Sequence, residues 1–454
     1  TLAITVFFAV TVIFTMAAPL LVQLYTSGWS EDQLALATAF AYWCLPQLFF
    51  YGLYSILGEV LNSRSEFGPF MWAPVLNNVV SIAGLVAFIL IFGADPAGER
   101  AVSLWEADRI SLLAGSATLG VAAQALILFV AWKRIGMSLS LNFKWRGFGL
   151  RPALKAASWS LGMVLVTQVG GLVQTIVASG AISARADNPA VASVAAAGIA
   201  WLVFMLPHSV ATVSIATAYF TKMSTHVHEN RMDLLKADLA AGLRSIALIS
   251  VLATVAISVL AYPISRVFVG EFPAIISLGN VIVALMLGLL PFSFVYMMQR
   301  AFFALEDTRT PFWFTAVQIG LHIVGSITIS MTVAAEWLVV ALSLLTSTTI
   351  TIQAVLAYWL LTKRIGSFKQ HGIAAACAKF VISGVLAGLI GYAILQLLGG
   401  VVAGSFVVAK VASAGLSMVI AGGVMLAIYV IALRLLRVKE VDTVFSAIKG
   451  IVRR

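Results

Sequence analysis

The chain has 454 residues, 61% of them hydrophobic and 10% charged, whereas soluble domains carry roughly a quarter charged residues. That composition excludes a water-soluble fold. A formal charge of +10 would suggest nucleic acid in a soluble protein, but in a membrane protein it has first to be placed relative to the bilayer.

Apolar runs of the roughly 20 residues needed to cross a hydrocarbon core recur along the whole chain. In order they predict twelve spans, at residues 3–25, 34–62, 70–93, 109–131, 156–182, 190–219, 242–263, 274–298, 312–334, 337–362, 373–398 and 405–433. Backbone groups in lipid must be satisfied internally, and the unbroken apolar runs fit helices rather than the alternation of a barrel strand. The expected class is an all-α polytopic membrane protein. Cys44 and Cys377 lie in separate apolar runs with no metal-ligand spacing, and read as packing residues.

Basic residues gather on every second loop: Lys133, Arg134, Lys144, Arg146, Arg151 and Lys155, then Lys222, Arg231, Lys236 and Arg244, then Lys363, Arg364 and Lys369. With the C-terminal cluster and Arg64, Arg300, Arg309 and Lys379, that side holds 23 of the 28 Lys and Arg. By the positive-inside rule it is cytoplasmic, and both ends of the chain are expected there. The positive charge thus reads as a topology signal with some attraction to anionic lipid, and no nucleic-acid partner is expected. Two segments on this side look amphipathic and are expected to lie along the inner surface: 231–243, with Met232, Leu234, Leu235, Leu239 and Leu243, and the tail 441–454.

Two local matches recur six spans apart. Pro-Phe opens the helix after a short loop at Pro69-Phe70 and again at Pro311-Phe312, and Lys-Arg-Ile-Gly occurs at 133–136 and 363–366. The same order in equivalent loops fits duplication of a six-helix unit. If Lys-Arg-Ile-Gly closes each unit, the first has only four spans, so two further helices are expected upstream of Thr1. The expected organisation is the remainder of an N-terminal lobe at 1–150, a C-terminal lobe at 151–370, two extra helices at 371–435 and a basic amphipathic tail at 436–454.

The stretch Arg300-Ala301-Phe302-Phe303-Ala304-Leu305-Glu306-Asp307-Thr308-Arg309-Thr310-Pro311 closely resembles a signature of the MurJ (MviN) lipid II flippases. Val60-Leu61-Asn62 through Phe67 and Ala73-Pro74-Val75-Leu76-Asn77-Asn78 are similar to the helix-loop-helix of that family's fourth and fifth spans. The resemblance extends over essentially the whole chain. It implies the two-lobe fold of the multidrug/oligosaccharidyl-lipid/polysaccharide exporter superfamily, with fourteen helices of which twelve are present here. It also implies that most cavity arginines linked to lipid II binding belong to the first two helices. A further family arginine is expected a few residues before Leu206-Pro207, where this chain has Ala200-Trp201-Leu202-Val203-Phe204-Met205 and no basic residue. That departure resembles actinobacterial members, in which a cytoplasmic regulatory domain often follows the last helix.

All 18 acidic residues fall near span ends or in loops, which argues against a proton relay of carboxylates in these spans. Gln168 and Gln174 lie within about two turns on one side of span five; they either line a cavity that binds sugar or pyrophosphate oxygens or bond to neighbouring helices. Asn77 poses the same choice, and the resemblance favours a substrate role. Pro207 interrupts span six and could serve as a gating hinge, and His208 is either a titratable cavity residue or a packed one. His322 is the weaker candidate of the two histidines. Arg64, Arg300, Asp307 and Arg309 stand at the inner mouth, where a latch between lobes competes with a helix cap by Asp307 or Thr308.

The expected function is the flipping of lipid II, or a related polyprenyl-pyrophosphate glycolipid, from inner to outer leaflet by alternating access in the bacterial inner membrane. No Walker A loop suggests ATP hydrolysis. No cofactor is expected, and an ion gradient or the membrane potential would drive transport. Cell-wall synthesis proteins are candidate partners. The rivals are an exporter of another lipid-linked oligosaccharide or of drugs, a scaffold, and a membrane-embedded polyprenyl glycosyltransferase. The last needs carboxylates near one face, and Glu31, Asp32, Glu99, Glu106, Asp108 and Asp187 are scattered and form no Asp-x-Asp.

Overall fold

A computed structural model describes residues 1–26, 28–64, 66–95, 100–137, 150–180, 191–368, 371–438 and 440. Among them the ordered elements are all helical. Among the described residues ten helices are long and apolar enough to cross a membrane, and the number rises to twelve if two bent pairs, Leu2–Met16 with Ala18–Tyr25 and Phe272–Met286 with Leu289–Ala304, each count as one span. Each corresponds to one predicted span.

The chain divides into two compact units, Thr1–Pro152 and Ala153–Arg454. The first holds α1 (Leu2–Met16), α2 (Ala18–Tyr25), α3 (Glu31–Cys44), α4 (Gln47–Ser63), α5 (Phe67–Phe92), α6 (Ala107–Leu126) and α7 (Leu128–Arg134). Ser30 and Gln33 form a reciprocal capping box at the start of α3, with Glu31 and Asp32 in its first turn where they complement the helix dipole. Pro46 separates α3 from α4, as a residue with no N–H to donate and a ring that clashes with the preceding turn. The core of this unit joins Leu53, Leu57 and Leu61 of α4 to Ala73 of α5 and to Leu128 and Trp132 of α7. Tyr54 donates to the Phe70 carbonyl at 2.9 Å and Trp132 Nε1 to the Leu57 carbonyl at 3.3 Å.

The second unit holds α8, which begins at Leu150 in the preceding unit and runs to Ser179, then α9 (Val194–Pro207), α10 (Val213–His228), α11 (Met232–Val259), α12 (Ala261–Phe268), α13 (Phe272–Met286), α14 (Leu289–Ala304), α15 (Arg309–Thr332), α16 (Leu338–Ile365), α17 (Ile373–Leu397) and α18 (Val411–Leu435). The two helices predicted as extra, α17 and α18, pack on each other and on α11. Tyr429 of α18 donates to the Leu248 carbonyl of α11 at 2.8 Å. Between α13 and α14 the chain bends by 41°. The Ser347 hydroxyl of α16 meets the Ala284 and Leu285 carbonyls at 2.7 and 3.0 Å there. Gly288 lets α16 approach, since a Cβ at that position would lie 2.9 Å from Ser347 Cα.

The two copies of the internal repeat share local geometry. Gly136 and Gly366 both follow a helix end with positive φ, +70° and +84°, where a Cβ would be strained. Pro69 and Pro311 each occupy the third helical position, of α5 and α15, where a missing N–H leaves no helical bond unmade.

Two expectations are corrected. The segment 231–243 is not a separate surface helix: from Met232 it is continuous with the span that follows, as α11. Its apolar face, Leu235, Leu239 and Leu243, is buried in a protein core with Met297, Phe302 and Phe314. The last span begins at Val411 rather than 405, because 401–410 form turns. The predicted amphipathic tail at 441–454, with Lys449, Arg453 and Arg454, lies outside the described residues, as do Lys439, Lys144, Arg146, Lys369, Glu99, Asp187 and the side chains of Arg151 and Lys155.

Candidate functional site

Six helices of the second unit enclose a cavity of ≈ 520 Å³, with Phe292 of α14 among its walls. Gln168 and Gln174 line it from α8, Trp201 from α9, Leu285 from α13, Gln318 and His322 from α15, and Ser343, Thr346 and Gln353 from α16. A second pocket of ≈ 360 Å³ shares Gln168, Phe292, Gln318 and Gln353 with it and extends to Met163, Tyr296 and Gln299. Small residues make the room: Gly170 and Gly171 on α8, Ala197 and Gly198 on α9. Gly170 packs so closely on α15 that a Cβ there would reach Ile319 Cγ2 at 2.9 Å.

The polar lining divides into paired and unpaired groups. Gln318 Nε2 donates to Thr349 Oγ1 and Gln353 Nε2 to Thr315 Oγ1, both at 3.1 Å, so α15 and α16 exchange two side-chain bonds in a layer facing the cavity. The side chains of Gln168 and Gln174 make no hydrogen bond among the described residues, with Gln168 exposed and Gln174 half-buried. His322 is 3% exposed and neither ring nitrogen has a partner among the described residues, and the Ser326 hydroxyl one turn on is likewise unpaired among them. Read one residue at a time, the sequence gives His322 little prominence and does not single out Gln318 or Gln353. The available signal was the i, i+4 spacing of Gln318 and His322, which places both on one face of α15.

His208 is not among the residues lining this cavity. Pro207 ends α9, and the chain passes through a π-helical turn at His208–Thr212 before α10, so the span continues instead of breaking. Pro lacks the N–H that a regular turn would use, and a widened turn is a common resolution. His208 Nδ1 lies 3.3 Å from Ser293 Oγ on α14, and its ring packs on Phe292 and Tyr296.

Asn77 is in the first unit. Its Oδ1 accepts from Ser81 at 3.3 Å, and it faces Gly120 of α6, where a Cβ would come within 2.4 Å of that oxygen. Arg64 is exposed at the end of α4. In the second unit the Arg300 guanidinium bonds to the Tyr296 hydroxyl and sits 4.8 and 5.8 Å from the Tyr296 and Phe220 ring centres. Arg309 lies over Trp159 of α8 at 5.6 Å. The Asp307 carboxylate accepts from the Thr310 backbone N–H at 2.9 Å and from the Thr310 hydroxyl at 2.7 Å, which caps α15. The structure therefore groups Gln168 with Gln174, and Pro207 with His208, and leaves Asn77 and Arg64 in a different unit.

The family profile described as "Lipid II flippase MurJ" matches residues 1–412. Two similar relatives are each named "Probable lipid II flippase MurJ". One, from Rhizobium tropici, is 24% identical over 70% of this chain and 57% of the relative. The other, from Haemophilus influenzae, is 24% identical over 69% and 60%. The chain thus spans about three fifths of the length of these curated relatives. Among solved structures, "Lipid II flippase MurJ, inward closed conformation" superposes with a TM-score of 0.67 at 19% identity, covering 95% of this chain and 82% of that one. An inward-facing multidrug resistance MATE family transporter of the MOP superfamily superposes at 0.63 with 17% identity, covering 82% and 80%. At these identities the structural likeness establishes the exporter fold.

Proposed function

The chain belongs to the lipid II flippase MurJ family, and from that membership we propose that it moves lipid II from the inner to the outer leaflet of the bacterial cell membrane by alternating access. The observation that carries this reading is the family match over residues 1–412, on a chain with up to twelve spans and the exporter fold. It is favoured over drug export because the MATE likeness is one of fold alone.

In this reading the lipid tail stays in the bilayer while the headgroup enters a polar cavity. Gln168 and Gln174, unpaired on α8, contact the headgroup from the second unit. Asn77 and His208 reach it only when the contacts they make with Gly120 and Ser293 open. Pro207 and the π turn after it are the hinge, since a widened turn already lacks the regular bonding that resists bending. Arg64, Arg300, Asp307 and Arg309 act at the inner mouth as a gate. Both termini of the chain face the cytoplasm, where the basic residues concentrate. An ion gradient or the membrane potential drives the cycle, and cell-wall synthesis proteins use the product.

Purified full-length protein reconstituted in proteoliposomes with fluorescent lipid II should expose the label to an external quencher faster than protein-free vesicles do. In cells, depletion should make lipid II accumulate on the inner leaflet. An unchanged leaflet distribution in both assays overturns the proposal.

A further inference from the structure

The cavity of the second unit carries no fixed charge: no Lys, Arg, Asp or Glu lines it among the described residues, and His322 is its one titratable side chain. A pyrophosphate enclosed there would lose hydration with no cation to replace it, which is strongly unfavourable. What the walls supply is neutral hydrogen-bonding capacity. The amides of Gln168 and Gln174 are unpaired, and Gln318 and Gln353 each engage one N–H and keep a carbonyl oxygen with no described partner. His322, 3% exposed, has both ring nitrogens unpaired among the described residues. A neutral imidazole presents one donor and one acceptor and an amide presents both kinds, which is the pattern offered by hydroxyl and acetamido groups.

An aromatic wall accompanies the amides. Trp201 is 41% exposed and is backed by a stacked Phe204, with ring centres 5.2 Å apart, so it presents a rigid apolar face to the cavity. Planar amides around an aromatic plate suit a pyranose, with polar edges and an apolar C–H face. The volume of ≈ 520 Å³ is in the ordinary range for small-molecule sites. Water held there in the empty state would satisfy the same groups and be displaced on binding.

We propose that this cavity is a glycan subsite: it receives the uncharged, N-acetylated sugar portion of a lipid-linked substrate, while the pyrophosphate is held outside it. The proposal rests on the lipid II reading and deepens it by assigning one part of the headgroup to one cavity.

Two ligands that share tail and pyrophosphate and differ by one N-acetylated sugar, undecaprenyl pyrophosphate and its N-acetylglucosamine conjugate, are compared for binding to the full chain in nanodiscs. Gln168→Met and His322→Phe should each weaken binding of the sugar-bearing ligand roughly five- to tenfold, the effect of about one lost hydrogen bond, and leave undecaprenyl pyrophosphate binding within twofold. Equal losses for both ligands, or no loss for the sugar-bearing one, overturn the proposal. If His322→Phe does not fold, Gln168→Met decides alone, because its exposed side chain has no partner to lose. Flipping by the unmodified protein separates the two claims. Transport without a sugar-dependent effect of the variants removes the subsite and keeps the function; sugar-dependent binding without transport does the reverse.

Discussion

Nδ1 of His208 lies 3.3 Å from the hydroxyl oxygen of Ser293, and the same oxygen accepts from Thr212 at 3.0 Å. Both ends of the π turn are therefore fastened to one side chain on α14, and all three residues are 2% exposed or less. Ser293→Ala would leave two buried polar groups without a partner, a loss of about 1–3 kcal/mol in unfolding free energy. Thr212→Val removes only a donor and should cost about 1 kcal/mol or less. Thermal unfolding of the detergent-solubilised protein measures both. A Ser293→Ala variant no less stable than Thr212→Val would show that the shared hydroxyl does not hold the turn.

In the first unit, close approach of α5 and α6 depends on Gly120. A Cβ there would meet Asn77 Oδ1 at 2.4 Å and, less avoidably, the Asn77 backbone oxygen at 2.9 Å. The side chain can rotate away, but the carbonyl moves only with its helix. Gly120→Ala should destabilise by about 1–3 kcal/mol, the range for overpacking. Gly415→Ala, with open space around it, should be neutral or slightly stabilising, since Ala is the better helix former by about 1 kcal/mol. Parallel melting curves of the two variants decide the point.

The spans were legible because twelve apolar runs of bilayer length leave no other class. The path of each span was not, since a window of mean apolarity registers length and is blind to the bend at Leu287-Gly288 or to the π turn after Pro207. The segment 231–243 shows a different limit. Leu235, Leu239 and Leu243 recur at helical spacing, and that spacing is the same whether the stripe meets lipid or, as here, the side chains of Met297 and Phe302. Within the cavity, Gln168 and Gln174 were found as isolated amides in one span. Gln318 and Gln353 acquire meaning only across helices, because each is fixed by a threonine on the other one.

Asp307 offers a test between capping and gating. Its two carboxylate oxygens are occupied by Thr310, and asparagine caps helices about as well as aspartate. Asp307→Asn should therefore keep wild-type stability, while Asp307→Ala loses about 1 kcal/mol. If the carboxylate also serves the inner gate through its charge, Asp307→Asn will slow lipid II flipping in proteoliposomes with no change in unfolding temperature. Equal flipping by Asp307→Asn and the unmodified protein assigns the residue to capping alone.

The two bonds between α15 and α16 have the same length and should not have the same strength. Thr349 accepts from Gln318 but donates to the Thr346 carbonyl at 3.1 Å, so its hydroxyl keeps a partner when Gln318 is replaced by leucine. Thr315, 6% exposed, has Gln353 as its one hydrogen-bond partner among the described residues. Gln353→Leu thus strands a buried hydroxyl and Gln318→Leu does not. Double-mutant cycles with Thr315→Val and Thr349→Val isolate each pair. The Gln318–Thr349 coupling should be near the membrane average of about 0.6 kcal/mol, and the Gln353–Thr315 coupling nearer the upper measured value of about 1.7 kcal/mol. The reverse order would mean that water entering from the cavity already satisfies Thr315, and that the layer between α15 and α16 is wet on the side of Gln353.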